Sequence, residues 1–291
     1  MFATLLLLIL PSIYAAHAAP ALISVGDILG DFDAASSTET PTALSQDTVN
    51  AEFLRPAQFS RVVYCSTSSV TSWQCGTPCS DLGAGIEVLQ AGGDNGLVPQ
   101  CECLVLVRYF VAHDPSTQSI VVAHQGTDPK EFLSVLNDAE FPLVSLNASR
   151  FPGVNGNIQV HDGFQKTFER TADEIHAGVQ AGLTSKNVSK VLVTGHSQGA
   201  AIAVMDAAML RQDLDPSVEI RTTVFGLPRG GNAAWADFLD TTVRAPHSLV
   251  LSSMSNDDLR FVVAWKHAGA YDKSGGSGPI GSTSLPRIPT P

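Results

Sequence analysis

Short apolar runs alternate with stretches of helical periodicity over most of the chain. Leu44, Phe53, Leu54, Phe59, Val62 and Val63 recur at helical spacing and predict an amphipathic helix over 44–63. Runs at 104–111, 120–123, 158–160, 191–194, 218–225 and 249–252 have the length and β-branched content of buried strands. Helical patterns follow the later ones, at 164–183, 198–211 and 233–243, the second apolar nearly all round and therefore buried. Strand–helix–strand alternation predicts an α/β fold: a mainly parallel central sheet with helices on both faces. No repeat or linker divides it.

The two ends read differently. Leu5 to Leu10 is an apolar run, extended past Pro11 to Ala15 and Ala16, and Ala16-His17-Ala18 gives a small-x-small cleavage pattern ahead of Ala19. The run is too short for a membrane span, which needs about 20 residues. The chain therefore divides into an export signal (1–18), a loose segment (19–41), the α/β domain (42–272) and an irregular Gly-, Ser- and Pro-rich tail (273–291). Secretion to an extracellular location fits five cysteines: Cys75 and Cys79 are close enough to close a small loop, while Cys65, Cys101 and Cys103 stay unassigned. No histidine stands at zinc spacing from them, so neither metal nor cofactor is expected. Asn147-Ala-Ser149 and Asn187-Val-Ser189 are glycan acceptors in a eukaryotic secretory route. The 291 residues carry 17 Lys+Arg against 28 Asp+Glu, a net charge of −11. That sign repels phosphate backbones and argues against nucleic acid as a partner; a monomer is expected.

The chemistry sits where the predicted strand 191–194 meets the helix after it. Gly195-His196-Ser197-Gln198-Gly199 is a G-x-S-x-G pentapeptide in a strand–turn–helix context. A serine at the tip of so sharp a turn brings strand and helix close at the positions two before and two after. Gly195 and Gly199 leave room there. Ser197 then projects at the positive end of a helix, as a nucleophile would. The Gln198 N–H, just after it, is one donor for a developing oxyanion. A second would come from Thr127, after the strand that ends in His124-Gln125-Gly126.

Gly195–Gly199, His124-Gln-Gly-Thr127, Val160-His-Asp-Gly-Phe164 and Phe225-Gly-Leu-Pro-Arg-Gly-Gly-Asn232, in that set, resemble the ordered motifs of the secreted fungal lipases of class 3. Tyr64-Cys65 followed by Cys75 and Cys79 is similar to their N-terminal cysteine pattern. The likeness covers about residues 44–275. It implies an α/β-hydrolase fold, a Ser–Asp–His triad, an oxyanion hole of Thr127 and Gln198, and ester hydrolysis at a lipid–water interface. It also implies that Phe132, Leu133, Val135 and Leu136 form an amphipathic lid. Gln125 stands where that family usually has Arg, and Gln198 where it usually has Leu.

The acid partner implied by the resemblance is Asp257, in Ser255-Asn-Asp-Asp258, with Asp258 as the alternative. His267 is the one histidine after it. Acid and base are expected at the ends of neighbouring parallel strands, and such a crossover takes a dozen residues or more, so His267 is too near to be the base unless the loop between the strands is unusually compact. Trp265-Lys-His267-Ala-Gly269 resembles a family segment that precedes the catalytic histidine, and 285–291 resembles the Pro-rich approach to it. On that resemblance the base, and a C-terminal cysteine partner for Cys65, are expected beyond the last residue. His161 and His196 read as structural; His113, His176 and His247 as surface or core. The expected function is a secreted serine carboxylic ester hydrolase acting on acylglycerols through an acyl-serine. The alternatives are a lipase-fold lipid-binding protein without its base, and a feruloyl or short-chain esterase.

Overall fold

A computed structural model describes residues 45–93, 108–126, 142–154, 156–228, 230–243, 250–255 and 258–263, the last two as backbone. The signal and loose segment, the run 104–107, Cys101, Cys103 and the tail lie outside the described residues.

The predicted first helix is three elements in one direction: α1 (Gln46–Val49), a π-turn (Asn50–Leu54) and α2 (Arg55–Val62). Pro56 explains the wide turn. It has no N–H to give the carbonyl four residues back, and its ring crowds that carbonyl. The carbonyl is that of Glu52, and Arg221 Nη2 takes it at 2.9 Å instead. Two short helices follow, α3 (Thr67–Thr71) and α4 (Thr77–Ser80). Cys75, in the loop between them, is bonded to Cys79 of α4, Cα to Cα 5.3 Å, and Cys65 is a free thiol.

Among the described residues nine strands come next: β1 (Glu87–Gly92), β2 (Tyr109–Asp114), β3 (Ser119–His124), β4 (Leu143–Ser145), β5 (Gln159–His161), β6 (Lys190–His196), β7 (Glu219–Phe225), β8 (Val250–Ser255) and β9 (Asp258–Val263). Three long helices interrupt them: α5 (Asp162–Lys186), α6 (Gln198–Asp213) and α7 (Ala233–Thr242). The main sheet runs β1-β2-β3-β6-β7-β8-β9, and β4 pairs with β5 apart from it. Pairing is parallel across the central four, β3-β6-β7-β8, and antiparallel at both flanks.

Period-two alternation on the central strands divides the core. Tyr109, Val111, Ile120, Val122, Val191 and Val193 face α5, α6 and α7; Phe110, Ala112, Val121, Ala123 and Leu192 face α2 and α4. A sheet buried on both faces is what the unbroken apolar runs required. Of the predicted strand 104–111, Tyr109 to Val111 lie in β2, which runs on to Asp114, because its polar end closes a hairpin with β3 through the turn 115–118. Of the two sequons, Asn187 is exposed, in left-handed backbone at the end of α5, whereas Asn147 is half-buried and gives its amide N–H to Glu169 at 2.6 Å.

After β8 the chain doubles back. Two residues separate β8 from β9, which permits a hairpin and no crossover, and β9 pairs antiparallel with β8 from Ser255↔Asp258 to Val250↔Val263.

Candidate active site

Ser197 stands between β6 and α6 with φ 56° and ψ −125°, a conformation that side-chain-bearing residues seldom adopt. Its neighbours over-determine it. The Ser197 N–H donates to the Phe225 carbonyl at 2.9 Å, tying the elbow to the end of β7, and the Ser197 carbonyl accepts from Ala200 N–H at 2.9 Å as α6 begins. A Cβ on Gly195 would stand 2.4 Å from the Gly199 carbonyl oxygen; one on Gly199 would stand 2.4 Å from that of His124. Strand, helix and the end of β3 thus touch backbone to backbone around the serine.

The side chain is buried, 7% exposed, and its Oγ has no hydrogen-bond partner among the described residues. It lies at the first turn of a sixteen-residue helix, where N–H dipoles favour developing negative charge. Gln198, the helix's first residue, follows it directly. Thr127, the expected lid residues Phe132, Leu133, Val135 and Leu136, Asp257 and His267 lie outside the described residues. Asp258 opens β9 opposite Ser255.

The described histidines are all directed elsewhere. His196 Nδ1 meets the Tyr64 hydroxyl at 2.7 Å, and burial lowers the pKa of its imidazole below the usual value. His161 caps α5, its Nδ1 accepting the Phe164 N–H at 3.2 Å, and burial lowers it too. His113 pairs across from Ile120, toward the opposite end of β3 from the elbow. His176 faces Asp213 at 3.8 Å. His124 is 1% exposed and its Nε2 meets Asp206 Oδ2 at 2.5 Å.

That last pair was missed in the sequence. Asp206 is the one acid within the apolar stretch Gly199 to Leu210, fully buried, and burial pushes its carboxyl up while His124 opposes the rise. A charge in so apolar a helix needs a partner, and that was the available signal. The network continues outward: the Tyr109 ring lies 6.1 Å from His124, and its hydroxyl donates to Glu174 and accepts from Gln90 at 3.1 Å. Strands β1 to β3 are so joined to α5 and α6 beneath the elbow. Tyr64 was the other omission; its hydroxyl also accepts the Gly126 N–H at 3.2 Å.

The two remaining motifs meet beside the site. The His161 N–H donates to the Gly230 carbonyl at 2.8 Å, and Asn232 Oδ1 caps α7 through the Trp235 N–H at 3.0 Å. Among the described residues no three metal-ligating side chains converge.

Known proteins are similar to this chain in sequence and in fold. The Lipase (class 3) family profile matches residues 121–259. A secreted mono- and diacylglycerol lipase of Malassezia globosa, MDL4, is 31% identical over 211 residues, 72% of this chain and 63% of its own. The chain spans about 63% of the length of the first two curated relatives it matches. A lipase of Rhizopus microsporus var. chinensis shares the fold at TM-score 0.61, 21% identical, over 87% of this chain and 95% of that one. A triacylglycerol lipase described as having a serine protease triad at its catalytic centre superposes at TM-score 0.57, 26% identical, over 69% and 70% of the two chains. With its elbow, its sheet and these relatives agreeing, the chain belongs to the class 3 lipase family, on an α/β-hydrolase fold.

Proposed function

We propose that this protein is a secreted serine ester hydrolase of acylglycerol lipids. One observation carries the reading: a buried serine hydroxyl, unengaged among the described residues, held in strained backbone at the start of α6. Strain of this kind is kept where function needs the side chain presented.

In the proposed reaction Ser197 Oγ attacks the ester carbonyl carbon and its proton passes to a histidine base oriented by Asp257. The carbonyl oxygen becomes an oxyanion, met by the N–H groups of Gln198 and Thr127. Collapse expels the alcohol, which takes the proton, and leaves an acyl-serine; water then attacks it, releases the fatty acid and restores the hydroxyl. Phe132, Leu133, Val135 and Leu136 cover this site in water and turn toward lipid at an interface. Secretion is proposed from the leader-like 1–18 and from relatives named as secreted.

None of the described histidines bonds Ser197. That favours one second reading, a lipid-binding protein that turns over poorly. A single experiment separates the two. Rapid labelling of Ser197 by a p-nitrophenyl phosphonate, with p-nitrophenyl butyrate hydrolysis lost in Ser197→Ala, is expected of the hydrolase. A folded parent that neither labels nor hydrolyses is the lipid-binding protein. Hydrolysis by Ser197→Ala at the parent's rate would remove Ser197 from the mechanism.

A further inference from the structure

Tyr64 lies two residues past α2, and its phenol reaches two segments that are far apart in sequence. Its hydroxyl accepts the N–H of Gly126, in the loop leaving β3, and meets Nδ1 of His196, the residue before Ser197. The rings of Tyr64 and His196 are 6.1 Å apart. One phenol oxygen thus serves both groups: it accepts the Gly126 N–H and shares a hydrogen bond with Nδ1 of His196, whose direction the imidazole tautomer sets. Tyr64 is itself anchored: its N–H donates to the Arg61 carbonyl at 3.2 Å, and Arg108 Nη1 donates to its carbonyl at 3.3 Å.

Gly126 is the tight point of this contact. A Cβ there would lie 2.4 Å from the His196 carbonyl oxygen, 2.6 Å from the Tyr64 hydroxyl and 3.0 Å from Ser197 Cβ. The loop is therefore packed against the nucleophile's own backbone, and Tyr64 supplies the polar bonds that close it. The peptide plane that begins at the Gly126 Cα ends in the Thr127 N–H. Oxyanion donors work only within a few tenths of an ångström of the developing charge.

We propose that Tyr64 is a positioning residue whose hydroxyl clamps the loop after β3 onto the nucleophile elbow and so sets the separation between Ser197 and the peptide after Gly126. The proposal rests on the reading of Ser197 as nucleophile. A phenol suits the task because one oxygen serves both sides at once; Phe fills the same space and serves neither.

The test is Tyr64→Phe, read in two ways. Removing one donor outright from an oxyanion hole costs about 10²–10³ in kcat. Displacing one is expected to lower kcat for p-nitrophenyl butyrate about tenfold, with KM within about threefold. The phosphonate labelling rate should fall by the same factor, while the melting temperature and far-UV spectrum identify a variant that merely fails to fold. The second reading needs no activity: the Gly126 amide should be protected from hydrogen exchange in the parent and exchange at least about tenfold faster in the variant. A folded variant with unchanged kcat overturns the proposal. So does a Gly126 amide that already exchanges freely in the parent, even where Tyr64→Phe does not fold. A parent inert to phosphonate sinks the hydrolase reading instead, and Gly126 exchange then decides the clamp alone.

Discussion

Ser197 shows what presenting a nucleophile demands of one residue. Positive φ with a side chain costs on the order of 1–3 kcal/mol, offset by bonds from Ser197 to Phe225 and Ala200. Replacing the serine by glycine removes that strain but loosens the unfolded chain by about 0.5–1 kcal/mol. Ser197→Gly is therefore expected to be inactive and more stable than the parent by about 1 kcal/mol, raising Tm by about 2–4 °C. Ser197→Ala keeps its Cβ and the strain, so its Tm should stay near the parent's. Calorimetry of the three proteins checks this; a fall in Tm for Ser197→Gly would mean that the elbow is unstrained. At this scale the sequence was most legible where sterics leave one choice: two glycines bracketing a serine at a strand–helix junction suit little besides a sharp, closely packed turn. The partners of Tyr64, His124 and Asp206 were illegible because each lies tens of residues away, and a polar residue's partner is set by tertiary packing.

Ion pairs between elements fix how α2 meets the sheet. Asp114, fully buried at the end of β2, accepts from Arg55 Nε at 2.5 Å and Nη2 at 2.6 Å, and from Ser116 and Thr117 of the following turn. Burial raises its carboxyl, but these donors, Arg55 foremost, outweigh that and hold it below its ordinary value of 3.8. A carboxylate depressed in the folded state adds stability that is present above the unfolded value and lost as pH falls through the folded one. Arg55→Met leaves a buried charge without its cation, which costs about 3–5 kcal/mol when a pair is broken. The stability gap between parent and variant should thus be wide at pH 7 and close as the pH falls below about 4. Urea melts at the two pH values measure it; a gap independent of pH would put the loss in packing alone. The long helices and β3, β6 and β7 were readable because each buries a continuous face. β1 was missed since its six residues are half-exposed and show no clean alternation, and β4 has only three. The π-turn is a consequence of Pro56 that periodicity blurs into one helix.

At the scale of the whole sheet, register decides which later residues can reach Ser197. His196 lies level with Phe225, Phe225 with Val250, and Val250 with Val263. Three strand spacings of about 4.8 Å therefore set the end of β9 about 14 Å sideways from β6. β9 passes that level running against β8, away from the edge where the elbow stands. The alternation of strands and helices was enough to foresee the parallel centre, but not this hairpin, because a strand's direction is set by a two-residue connection rather than by its own apolar pattern. His267 follows Val263 by four positions. To bond the Ser197 hydroxyl within about 2.6–3.2 Å, those four residues would have to reverse direction and cross the ends of β8 and β7. Four extended residues span at most about 14 Å, so such a crossing would need a full reversal immediately after Val263. His267→Ala is accordingly expected to leave the phosphonate labelling rate of Ser197 within about twofold of the parent, since it removes no proton acceptor from the serine. A variant that folds, melts like the parent and no longer labels would reverse this: His267 would then be the base, and the chain after β9 would turn back toward the elbow.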